Sequence, residues 1–143
     1  MKDSVEFNGL IFFALDHGME SIKNNSGPLV PFVISYKRIG ERILTRFLTD
    51  RLEQGIEKAR KFVFNARFDL EMYAIAYDGY VTLEGQKYDA IIVEGGMRKI
   101  EQGMRLAQRY EKKGFIIKKN VPIGNPVQFQ SDNPKSLIFI QNE

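Results

Sequence analysis

Cysteine is absent from the 143 residues, which excludes a disulfide framework, a thiolate nucleophile and a cysteine-ligated zinc site. A reducing compartment suits such a chain. Long apolar runs are missing too: the densest stretch, Leu10 to Leu15, ends at Asp16 and His17, well short of the ~20 residues of a membrane-spanning helix. Acidic Asp3 and Glu6 break the basic start of a signal peptide. These absences predict a cytoplasmic protein without membrane contact. Histidine occurs once, at His17, and on a helix its neighbour Asp16 diverges from it by about 100°. No acid–base couple is preassembled there, and no serine nucleophile elbow accompanies it. Neither a dinucleotide fingerprint nor a P-loop is present, so no cofactor and no metal is expected.

What is present reads as one folded unit. Apolar residues make up 43% and charged residues 27%, which is globular rather than disordered composition. No repeat or linker divides the chain, so residues 1–143 are read as a single domain. The net charge of +3 decides little; its distribution says more. Between Met97 and Asn120 lie Arg98, Lys99, Arg105, Arg109, Lys112, Lys113, Lys118 and Lys119 against Glu101 and Glu111, which leaves the remainder slightly acidic.

Periodicity sets the expected elements. A first helix, about 4–23, carries Phe7, Leu10, Ile11, Ala14, Leu15 and Ile22 at helical spacing, with Asp3 and Glu6 at its start as cap residues. A short strand, Val30 to Tyr36, follows the breakers Asn24 to Pro28, and Pro31 confines it to an edge or to the strand's start. A second helix, about 41–65, rests on Leu44, Phe47, Leu48, Leu52, Ile56, Ala59, Phe62 and Val63; its outer face pairs Arg46 with Asp50 and Glu57 with Lys61. Leu70 to Tyr77, Tyr80 to Glu84 and Lys87 to Glu94 then predict an antiparallel three-stranded meander, about 70–94, turning at Asp78-Gly79 and Gly85-Gln86. Ile91 to Val93 is unbroken and apolar, which suits a central strand covered on both faces. A third helix, about 97–112, would set Ile100, Met104, Ala107 and Tyr110 against a basic stripe of Arg98, Arg105, Arg109 and Lys112. Phe115 to Lys119 reads as a further strand, Asn120 to Pro126 as a loop, and Leu137 to Ile140 as a last strand or a tail docking on another subunit. The fold class is therefore α+β: the meander and one or more further strands, packed by three helices, with Ile56, Phe62, Ile92, Met104 and Ala107 in one core.

The element order from Glu41 to Lys119 is similar to the core of restriction-endonuclease-like nucleases. That resemblance implies a first acid on the second strand, and a second acid and a lysine two residues apart on the third, holding a divalent metal. Asp78 and Glu94 are the candidates, provided the register lets them converge. Asp89 points away from the face of Glu94, and Gly96 occupies the lysine's place, with Arg98 and Lys99 displaced from it. The plain alternative makes Asp78 a turn residue and Glu94 a strand-end carboxylate. Gly95-Gly96 before the third helix would offer backbone N–H groups to an anion beside Arg98, Arg105, Arg109 and Lys112. The functional expectation is a non-catalytic domain acting through a protein interface as a homodimer. The alternatives are a polyanion- or nucleic-acid-binding, degenerate nuclease-like domain, and a small enzyme acting on a phosphorylated or acidic substrate.

Overall fold

The computed structural model describes residues 2–24, 27–114, 116–129 and 134–141. The Asp3 side chain and Phe115, on which the sequence predicts a cap and a strand start, lie outside the description. Helix α1 (Lys2–Ile22) is followed by strands β1 (Phe32–Lys37) and β2 (Arg42–Arg46), helix α2 (Leu52–Asn65), and strands β3 (Leu70–Leu83), β4 (Gln86–Met97), β5 (Ile100–Lys113) and β6 (Lys119–Gln128). All six strands form one antiparallel sheet in the order β2-β1-β3-β4-β5-β6. The α+β class holds, with two helices among the described residues rather than three.

The two helices cover opposite faces of this sheet, and alternation along each strand divides the core accordingly. Toward α1 point Ile34, Met72, Ala74, Ala76, Ile91, Val93 and Leu106, which meet Phe7, Leu10, Ile11, Ala14 and Leu15. Toward α2 point Val33, Tyr73, Ile75, Tyr77, Ile92 and Ala107, which meet Ala59 and Val63. Strands buried on both faces need apolar residues at every position, which is why Met72 to Tyr77 and Ala90 to Val93 are continuous. Small residues let α1 sit close. A Cβ on Gly95 would stand 2.7 Å from the Ile11 side chain and 2.5 Å from the Tyr73 carbonyl.

Four expectations are corrected. The helix expected over 41–65 begins only at Leu52: Arg42–Arg46, with β-branched Ile43 and Thr45, pairs with β1 instead. Arg46 and Asp50 therefore share no helix, while Lys61 and Glu57 do, at 3.6 Å. The helix expected over 97–112 is strand β5, because β4 presents an open ladder that the chain turns back to fill, Met97 pairing with Ile100 across Arg98-Lys99. On this strand Met104, Leu106, Gln108 and Tyr110 take one face, and Arg105, Ala107 and Arg109 the other.

The turn expected at Asp78-Gly79 lies inside β3, where Gly79 pairs with Ala90 and a Cβ would stand 2.7 Å from the Ile92 side chain. The chain reverses at Glu84 and Gly85, with φ of 50° and 78°, the two positive values of a type I′ hairpin joining Leu83 to Gln86. The single expected core is split as well. Ile56, Ile92 and Ala107 lie on the α2 side, Met104 packs on the α1 side, and Phe62 is 37% exposed.

Two further segments settle differently from their reading. Asn120 to Pro126, read as a loop, is most of edge strand β6, whose register shifts opposite Gln108. The amide nitrogen of Gln108 donates to the carbonyls of Ile123 and Gly124 at 3.2 Å, satisfying the bulged backbone. The terminal segment docks on its own sheet. Gly103 donates to Pro134, Ser136 to Glu101 and Ile140 to Arg98, and Ile138 is fully buried.

Candidate functional site

Asp78 and Glu94 do not meet. Asp78 pairs with Ile91 and Glu94 with Ile75, so three residues, roughly 10 Å, separate them along the ladder. Three is an odd step, which puts them on opposite faces: Asp78 continues the row of Ala74 and Ala76 under α1, and Glu94 continues that of Ile92 under α2.

Each carboxylate has a local task. Glu94 is 3% exposed and accepts from Arg60 Nε at 2.7 Å and Arg105 Nη2 at 3.0 Å, so it joins α2, β4 and β5 at one point. Burial pulls the Arg60 guanidinium down, yet its hydrogen bond to Glu94 and the charge of Glu94 hold it above its ordinary value. A carboxylate held by two charged donors in this way is a clamp between elements. Asp78 accepts from the Leu29 N–H at 2.8 Å and the Tyr110 hydroxyl at 2.7 Å. Burial pushes its carboxyl up; the Leu29 and Tyr110 hydrogen bonds pull back, and Asp89 pushes further. It borders a cleft of about 210 Å³ with Asp89, Tyr110, Lys112 and Asn120. Among the described residues no group of three or more histidine, aspartate or glutamate side chains is placed to hold a metal ion.

The expected anion site does not assemble. Gly95 and Gly96 lie within β4, buried and paired to Ala74 and Tyr73, so no helix start exists to present their N–H groups. Gly96 is there for the terminal segment, since a Cβ would stand 2.4 Å from Ser136 Oγ. Arg98 occupies the β4–β5 turn, 5% exposed, with Nη2 3.5 Å from Glu71. Arg105 serves Glu94, and Arg109 stacks 4.9 Å from the Tyr88 ring centroid. Strand alternation sends Lys112 to the opposite face from Arg105 and Arg109, into the Asp78 cleft. His17 is not coupled to Asp16: it stacks on Phe13, with its edge to Phe32, and its Nε2 is 3.4 Å from Arg46 Nη2.

A concavity of about 710 Å³ lies between α1 and β6. Phe12, Leu15 and Met19 form its helix wall, Val121, Pro122 and Pro126 its strand wall, and Gln108 and Asn120 line it as well. Asp16 and Glu20 lie along the helix wall; Lys119 is on the strand wall and Lys23 follows the helix end. Asn120 closes one end, its side-chain nitrogen donating to the Ile22 carbonyl at 2.6 Å. Sequence reasoning missed this groove, because its walls come from opposite ends of the chain and one of them reads as a proline-punctuated loop. No family model, curated protein or solved structure matches the chain.

Proposed function

We propose that this domain acts by binding rather than by catalysis, assembling as a homodimer through the groove between α1 and β6. The observation that carries the proposal is the groove's self-complementarity. Its helix wall is acidic at Asp16 and Glu20, its strand wall basic at Lys119, and apolar residues line the space between. A two-fold contact sets the helix wall of one copy against the strand wall of the other, which brings opposite charges together at both ends. Phe12 stands 48% exposed at the rim, and Val5, two helical turns earlier on the same row, is 73% exposed. Exposed apolar side chains aligned beside a groove are the usual mark of an interface.

The enzymatic alternative loses its paired acids, since Asp78 and Glu94 face opposite ways. The polyanion alternative loses its stripe, because Arg98 and Arg105 are drawn to Glu71 and Glu94 and Lys112 turns to the other face. Sedimentation tests the dimer. Wild type is expected to sediment as a dimer at micromolar concentration, and Phe12→Glu as a folded monomer. A wild-type monomer at that concentration overturns the proposal.

A further inference from the structure

We infer that the β2 edge is a docking site for an extended acidic segment of another protein, taken up as a seventh strand. β2 is the outermost strand on its side of the sheet. Two hydrogen bonds fix the phase of its ladder with β1: Phe47 N–H to the Pro31 carbonyl at 2.9 Å, and Lys37 N–H to the Glu41 carbonyl at 2.8 Å. With the register Val33 to Thr45 and Ser35 to Ile43, Ile43 and Thr45 turn their peptide groups toward β1. The N–H and C=O groups of Arg42, Leu44 and Arg46 therefore point outward. Among the described residues no other segment pairs with this edge.

The same three residues share the α1 face, since they pair with Tyr36, Ile34 and Phe32. The Arg42 guanidinium lies 4.7 Å from the Tyr36 ring centroid and 5.8 Å from that of Phe13. Arg46 reaches His17. No carboxylate among the described residues lies within ion-pair distance of either arginine. An antiparallel strand that exchanges both hydrogen bonds with Leu44 brings its residues two before and two after that position opposite the two arginines, at Cα separations of about 5.5 Å. The matching pattern is acid, any residue, apolar residue, any residue, acid.

A second copy of β2 fits badly. Two-fold pairing about Leu44 opposes Arg42 to the other copy's Arg46 at both ends, and like charges directly opposite are destabilising. The far edge of the sheet is blunted differently, by Pro122, Pro126 and the bulge in β6. The two edges thus differ: one is closed by proline, the other is open but barred to its own kind.

The test is fluorescence anisotropy on the full chain with three labelled peptides: Thr-Glu-Thr-Val-Thr-Glu-Thr, the same peptide with lysine for both glutamates, and the acidic peptide N-methylated at its valine. The acidic peptide is expected to bind at least about tenfold more tightly than either of the others, and Arg42→Glu/Arg46→Glu is expected to reverse the preference between acidic and basic peptides. If that variant does not fold, Arg42→Gln/Arg46→Gln is expected to abolish the preference. Equal binding of the acidic and lysine peptides, no binding of any, or indifference to N-methylation overturns the inference, the last by reducing it to charge adhesion. A change in sedimentation of the arginine variants with no change in peptide binding also overturns it, by giving the edge to a second copy.

Discussion

Glu94 is the buried acid at which Arg60 of α2 and Arg105 of β5 converge. Taking a carboxylate this far out of water is costly, and the two guanidinium groups that donate to it offset that cost. Glu94→Ala leaves Arg105, 16% exposed at its side chain, with a buried charge that Glu94 no longer balances. The expected loss is about 3–5 kcal/mol, measured by urea denaturation; a loss below about 1 kcal/mol would place the network in solvent. Asp78 sets a pH dependence. Its carboxyl is raised, burial being the main cause, so the folded chain holds the proton more tightly than the unfolded chain. The associated stability is fully present below the unfolded value and is lost as pH rises through the folded one. Relative to Asp78→Asn, wild type is expected to lose stability from the acid range toward neutral pH; a difference that grows in its favour contradicts this. The sequence displays both acids but not their faces, because a single residue of register decides whether they converge.

At the scale of elements, the competition between periods explains what was legible. The spacing along α1 and along Leu52 to Val63 admits only a helix, and Ile91 to Val93 only a strand covered on both sides, as found. Arg42–Arg46 and Ile100–Lys113 satisfy both patterns locally, and the open ladders of β1 and β4 decided for strand. Asp78-Gly79 and Glu84-Gly85 pose the same question about turns. The better turn dipeptide lost because Gly79 is needed where Ile92 crosses β3. Glu84 accordingly sits at positive φ in a place suited to asparagine. Glu84→Asn is expected to stabilise by up to about 1 kcal/mol, measured as a higher denaturation midpoint; an unchanged or lower midpoint would show that the turn does not limit the hairpin. Gly96→Ala tests the terminal clasp, where the new methyl meets Ser136 down to its Cα. A loss of about 1–3 kcal/mol is expected, with faster amide exchange at Ser136 and Leu137. Unchanged exchange there would detach the glycine from the clasp.

For the whole molecule, the α+β class and the apolar character of both sheet faces follow from composition and periodicity, whereas the groove requires the fold. Phe12 signals surplus apolar surface in the sequence, yet nothing local ties it to Pro122 or Lys119 on the last strand. The proposed dimer sets the helix wall of one copy against the strand wall of the other. Sedimentation equilibrium of the charge-swapped series tests it most directly, with wild type, Asp16→Lys, Lys119→Glu and the double variant compared at one micromolar-range concentration. Asp16 and Lys119 are exposed, so each substitution is expected to change stability by less than about 0.5 kcal/mol. The expected result is a wild-type dimer, two single variants shifted toward monomer, and a double variant restored to dimer as the opposed charges exchange places. A wild-type monomer, or single variants that dimerise as wild type does, would contradict the claim.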